Sequence, residues 1–253
     1  MTISAASWAR YIAQLRAVND AAYKAMSGYL NVHGLPATEA AEDAMIDAAY
    51  AITKKYAEAS ATLSARMYDS LAELAGKKLP AAVPADAPTV HEVAKAVVGT
   101  SKTGNPEIVS SSVSRLVKQT GVDTTMQNAL RDGAEWAWVP QGDTCAFCLT
   151  LASRGWQRAS RDAIRNGHAE HIHANCDCTY AIRFDQETNV AGYDPDKYLK
   201  MYYDADGTTP EAKINAMRRD LYAQNREKIL AQKRDAYEKS KELESSAAEE
   251  IDI

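Results

Sequence analysis

From Ser4 to about Gly28 the large apolar residues Trp8, Tyr11, Ile12, Leu15 and Val18 recur at steps of three and four. At 3.6 residues per turn these positions fall into line, so the spacing predicts one helix with a single buried face. Gly28 and the segment 31–36, with its own Gly34 and Pro36, predict where that helix stops. Thr38 followed by Glu39 has the form of an N-cap, and beyond it Met45, Ile52, Tyr56, Leu63, Met67 and Leu74 continue at seven- and four-residue steps. Together the two runs predict a long helical hairpin over residues 1–76, with stripes that serve as core rather than as a cofactor cleft.

The pattern breaks at residues 77–88, where Pro80, Pro84 and Pro88 fix φ and remove amide donors, so this stretch is expected to link two modules. Short helices are expected at 89–99, 106–120 and 124–133, punctuated by Gly99, the Gly104–Pro106 turn and Gly121. Large apolar residues then alternate with small or polar ones from Ala134 to Pro140, and Thr179–Phe184 reads the same way, so two short strands are expected to pair. These elements form a central module over 89–193.

After Pro195 a helix carrying Tyr198, Leu199, Met201 and Tyr202 is expected to stop at Asp204–Gly207, and Thr209-Pro210-Glu211 opens another. This last helix, expected to reach about Leu243, has nine Lys/Arg against five Asp/Glu between 211 and 241 and a fading apolar pattern. Residues 242–253 hold five acids and no base and read as a frayed acidic tail, so 194–253 forms a charged helical arm. The expected fold class is mainly α: an N-terminal long helical hairpin, a central α+β module with a small antiparallel sheet, and a C-terminal charged helix.

Composition agrees with this reading. A chain of 253 residues that is 46% hydrophobic can bury a core, and only 2 Phe, 12 Gly and 8 Pro favour helices packed through small side chains over a sandwich or barrel. The formal charge of −5 excludes a global positive field for nucleic-acid binding, so any such contact would be local, at the basic stretch 211–241. The bland reading of that stretch, a solvated helix with scattered ion pairs, carries more weight. No run of about 18 apolar residues appears and the first residues lack a basic segment leading into an apolar one, which points to a chain with no membrane span, made in the cytoplasm.

Candidate chemistry is concentrated in one place. All four cysteines lie between 145 and 178, as Cys145-Ala-Phe-Cys148 and then His173-Ala-Asn-Cys176-Asp-Cys178. Thiolate and imidazole are the preferred ligands of a tetrahedral Zn²⁺, and reduced cytoplasmic thiols favour metal over disulfides. Five groups, Cys145, Cys148, His173, Cys176 and Cys178, compete for four places, and both a four-thiolate set and a three-thiolate set with His173 satisfy the ion. Pairing of the two strands would bring the halves of this cluster together, and one bound zinc would staple the sheet. A full ligand shell leaves no position for water, which argues for a structural ion and against an enzyme.

The competing enzymatic reading is a zinc-supported nuclease of the His-Asn type, prompted by the crowding of His168, Glu170, His171, His173 and Asn175. Its weakness is that these residues sit on the ligand arm itself. Ser110–Ser114 and His91 lack the glycines of a nucleophile elbow, and the order of Cys-x-x-Cys before the histidines is the reverse of that in a deaminase.

Taken as one unit, Trp138-Val-Pro, Asp143-Thr-Cys145-Ala-Phe-Cys148 and the run to Gly155, closed by His173-Ala-Asn-Cys176-Asp-Cys178, resembles the Mu F-like minor head (minor capsid) proteins of tailed phages. The resemblance covers about residues 125–185. It implies a structural virion component made in the host cytoplasm and incorporated in few copies in the head interior or at the portal vertex. The implied partners are portal, major capsid or scaffold proteins. The implied role is head assembly, with DNA packaging or ejection as a further role it allows; on its charge pattern, the basic stretch 211–241 could make weak contact with packaged DNA or touch an acidic portal surface. No catalysis comes with this domain in the family.

Overall fold

The structure, a computed structural model, describes residues 2–141, 144–162 and 179–249. Four helices make the body: α1 (Ala5–His33), α2 (Glu39–Leu74), α3 (Val90–Ser101) and α4 (Pro106–Asp132). A three-stranded antiparallel sheet of order β3-β2-β4 follows, from β2 (Glu135–Val139), β3 (Gln157–Arg158) and β4 (Thr179–Arg183). Between β2 and β3 lies α5 (Ala146–Ala152). Beyond the sheet come α6 (Pro195–Asp204) and α7 (Pro210–Glu249), while β1 (Thr2–Ile3) pairs in parallel with β5 (Asn189–Val190). The protein is mainly helical with a small antiparallel sheet, as the pattern predicts.

α1 and α2 form the expected antiparallel hairpin. Met26 and Leu30 at the end of α1 meet Met45 and Ala49 at the start of α2, whereas Trp8 and Tyr11 at the other end share a core with Tyr68 and Leu71. Thr38 caps α2 by accepting from the Ala41 amide at 3.2 Å. Gly28 does not end α1, which runs to His33 and stops at Gly34, whose φ of 72° suits glycine.

Gly121 does not break a helix either, because 106–132 is one helix, α4. At Gly121 a Cβ would stand 2.6 Å from Ser60 Oγ and 2.9 Å from Ser64 Oγ, so glycine is there to let α2 and α4 approach. Between Met45 and Tyr68 the buried face of α2 is correspondingly small and partly polar: Ala49, Thr53, Ala57, Ser60, Ala61, Ser64 and Ala65. Of the stripe expected from the sequence Met45 is buried, Ile52, Tyr56, Leu63 and Met67 flank the buried face half-buried, and Leu74 is exposed.

α4 is buried along most of its length although it is rich in Ser and Thr. Its hydroxyls donate to carbonyls one turn back, Thr120 to Leu116 at 3.1 Å, Thr124 to Thr120 at 2.8 Å and Thr125 to Gly121 at 3.1 Å. Satisfied within the helix, they are buried at little cost. The N-terminal half of α4 joins Val109, Val113 and Val117 to a core with α1, α2 and α3; its C-terminal half joins Val122 and Met126 to a second core with the sheet.

Residues 77–88 carry no helix or strand, but they are fastened across the body. Val83 donates its amide to Asn128 Oδ1 at 2.9 Å and accepts from Asn128 Nδ2 at 2.8 Å, and Arg131 donates to the carbonyls of Pro80 and Ala81. The stretch divides the helices in sequence without parting them in space, since α2 and α4 pack against each other on either side of it. Arg131 also makes a two-point contact with Asp132, to which the Tyr68 hydroxyl donates at 2.9 Å.

Arg131 first, and Tyr68 with it, hold the Asp132 carboxyl below the usual carboxylate range. A depressed folded value stabilises the fold fully above the unfolded pKa of about 3.9, and that contribution fades as pH falls through the folded value. Urea midpoints at pH 7 and pH 3 are therefore expected to fall less with acid in Asp132→Asn than in the native chain.

At the other end of the chain, α6 begins at the Asp194 cap and ends before Gly207 as expected. α7 extends through Glu249, so residues 242–249 are helical rather than frayed. Among the described residues its buried positions are Ala216 and Met217, in the first turns.

Candidate metal centre

β2 and β4 pair as the sequence predicts, with Trp138 opposite Tyr180 and Val139 opposite Thr179. That register fixes the end of the sheet at which the chain leaves β2 towards Cys145 and enters β4 at Thr179. The aromatic rings hold it in place: Trp138 and Tyr180 lie 4.3 Å apart between centroids, and Trp136 and Tyr180 5.4 Å apart. Both tryptophans are fully buried. At the opposite end Arg183 pairs with Glu135 at 2.6 Å and lies over the Trp156 ring at 4.7 Å.

The Cys-x-x-Cys segment forms the start of α5. Cys145 is the N-cap, and its Sγ accepts the Cys148 amide at 3.5 Å. Cys145 is exposed and Cys148 buried at 1%, so the two thiols belong to one turn, one on the surface and one at the edge of the core. An amide donating to the first sulfur suits thiolate ligands, because it stabilises negative charge there. Beside them Thr144 Oγ1 is buried and makes no hydrogen bond to the described residues, leaving a hydroxyl next to Cys145.

The far end of α5 is fixed separately. The buried Tyr193 hydroxyl donates to the Ala152 carbonyl at 2.9 Å. Burial, with Tyr198 nearby, raises the pKa of this phenol, so it stays a donor. Gly155 follows with a φ of 67°, a left-handed turn that returns the chain to β3.

The geometry thus brings Cys145 and Cys148 together, as the spacing predicts. His173, Cys176 and Cys178, and the nuclease-type residues His168, Glu170, His171 and Asn175, lie outside the described residues. Among the described residues no cluster of three or more His, Cys, Asp or Glu is placed to hold a metal ion. Cys145 and Cys148 thus offer two sulfurs on one turn, half of the four ligands that a structural zinc takes.

Sequence reasoning missed the packing around this turn: Tyr193 as the fastener of α5, and α6 and α7 seated on its outer side. Two-residue strands such as β3 are too short to show a period, but Tyr193 just ahead of the Asp194 cap was a visible signal. Among the described residues no helix is long and apolar enough to cross a membrane. A family model described as VG15 protein matches residues 2–205. No curated protein and no solved structure matches the chain.

Proposed function

The chain belongs to the VG15 family, a viral protein family, and from that premise we propose that it is a structural minor head protein of the Mu F-like kind in tailed phages. In this reading it is no enzyme. It joins the head interior or the portal vertex in few copies, contacts portal, major capsid or scaffold proteins through its helical faces, and acts in head assembly with a part in DNA packaging or ejection. One structural zinc is held by Cys145 and Cys148 with two of His173, Cys176 and Cys178.

The observation that carries the reading is the Cys145–Cys148 turn packed on a sheet whose register sets Thr179 opposite Val139, at the end where the chain leaves towards Cys145. A staple at that point suits a part that must keep its shape while being built into a particle, since metal binding adds directly to folding free energy.

Two measurements test it. Metal analysis of chain purified under reducing conditions is expected to give one zinc per chain, and no stoichiometric ion removes the zinc from the proposal. Quantitative mass spectrometry of DNA-filled particles of the encoding phage is expected to find the chain in the head at low copy. Finding it only in the infected-cell lysate, outside particles, overturns the head assignment.

A further inference from the structure

We infer that a cavity between the first turn of α1, the last turn of α2 and β4 is the socket for one apolar side chain of a partner protein. It measures about 200 Å³. A dry apolar cavity of about 150 Å³ takes up benzene, so this one has room for a single large apolar side chain and not for two. Its inner walls are Ile3, Leu71 and Ile182, all buried, with Phe184 half-buried beside them. Leu74 also lines it and is 54% exposed, and Ser4 and Ser7 across from it are exposed too, so the cavity opens to solvent between α1 and α2.

The walls are pinned from behind. Ile3 is held by the pairing of β1 with β5, and its carbonyl accepts from the Ala191 amide at 3.4 Å. Ile182 stands opposite Trp136 in the register of β4 with β2, and the Phe184 ring meets that of Tyr68 edge-on at 5.3 Å. Tied in this way, they cannot collapse into the space, and apolar space left unfilled forfeits packing contacts. Stability is gained when a group from outside fills it.

The chemistry of the lining favours a side chain over a free ligand. Its polar side chains are already engaged within the chain: Ser4 Oγ accepts the Ser7 amide and donates to Ser7 Oγ, and Thr188 Oγ1 donates to Asp185 Oδ2. Arg183 donates to Glu135 and to the Gln186 carbonyl. Sites for free small molecules carry a few polar groups that orient the ligand, and a polar group brought in here would give up its water without return. A leucine, methionine or phenylalanine side chain brings none, because its own peptide groups stay at the mouth. There the exposed Leu74 extends the apolar contact and keeps water from the anchor. None of this calls on zinc or on a role in the head.

The full chain is tested first with toluene and p-cresol, the side-chain analogues of phenylalanine and tyrosine. Toluene is expected to bind saturably and to shift the methyl resonances of Ile3, Leu71 and Ile182, leaving those of Val109 and Val113 in place. p-Cresol is expected to bind about tenfold more weakly or worse, since its hydroxyl is buried without a partner. Ala75→Phe sets a ring in the cavity from its own wall and is expected to abolish toluene binding in a folded chain; Ala75→Leu serves should the larger ring not fold. No toluene binding, or equal binding of the two analogues, overturns the socket. The source of the side chain is read by photo-cross-linking in infected cells from benzoylphenylalanine placed at Arg10, exposed and one turn along α1 from Ser7. One adduct with a different protein is expected, falling about tenfold or more with the cavity plugged at Ala75. An adduct with a second copy of this chain, an adduct indifferent to the plug, or no protein adduct overturns the partner.

Discussion

Trp138→Ala is expected to lower unfolding stability by about 3–5 kcal/mol, the range for deleting a buried aromatic ring. The side chain is 0% exposed, its ring lies 4.3 Å from that of Tyr180 on the paired strand, and it shares a core with Cys148 and Leu151. Removing it takes away the closer of the two tryptophan contacts on Tyr180 across β2 and β4, and a member of the core that Cys148 and Leu151 of α5 share. The neighbours are strands tied by backbone pairing, so they have little freedom to close the space left behind. Trp138→Phe keeps a ring in place and is expected to lose clearly less. Urea midpoints at constant slope measure both. Equal losses for the two variants would show that ring stacking is not what holds the site.

Gly121→Val is expected to cost about 2–3 kcal/mol through overpacking, against the ordinary gain from replacing a helical glycine. The obstacle is specific: Ser60 Oγ and Ser64 Oγ stand 2.6 and 2.9 Å from the position of an added Cβ. Neither serine can turn away freely, because both are buried at the α2–α4 crossing and Ser64 also meets the Tyr11 hydroxyl at 3.3 Å. The smaller Gly121→Ala is expected to destabilise less and to be rescued by Ser60→Ala with Ser64→Ala, which removes the two clashing oxygens. A Gly121→Ala chain more stable than the native one would show that the helices part without cost.

These two sites mark what the sequence conceals. Helix starts were legible where a side chain announces them, as at Thr38, Asp194 and the Thr209-Pro210 pair. The pairing of β2 with β4 was legible because each strand is long enough to show its pattern. Gly28 and Gly121 were misleading, since both lie inside helices; at Gly121 the reason for glycine lies in space, in the serines of α2, whereas nothing crowds Gly28. The core face of α2 was hidden because Ser and Thr count as polar by any pattern, yet they are what lets two helices come close. Of the candidate site, the spacing of Cys145 and Cys148 foretold only that the two share one turn, and the other candidate ligands lie outside the described residues. The seating of α7 on α5 was not legible, because it arises from Ala146, Leu149 and Met217, three residues with nothing to set them apart in the chain.

α4 passes through both cores as a single helix of 27 residues, about 40 Å long at 1.5 Å per residue. A rod packed along both halves acts as a stiff transmission shaft, since protein interiors compress little. A push on the end where α3 and the α1–α2 tip lie would be carried along it to the core that holds Trp136 and Trp138 at the other end.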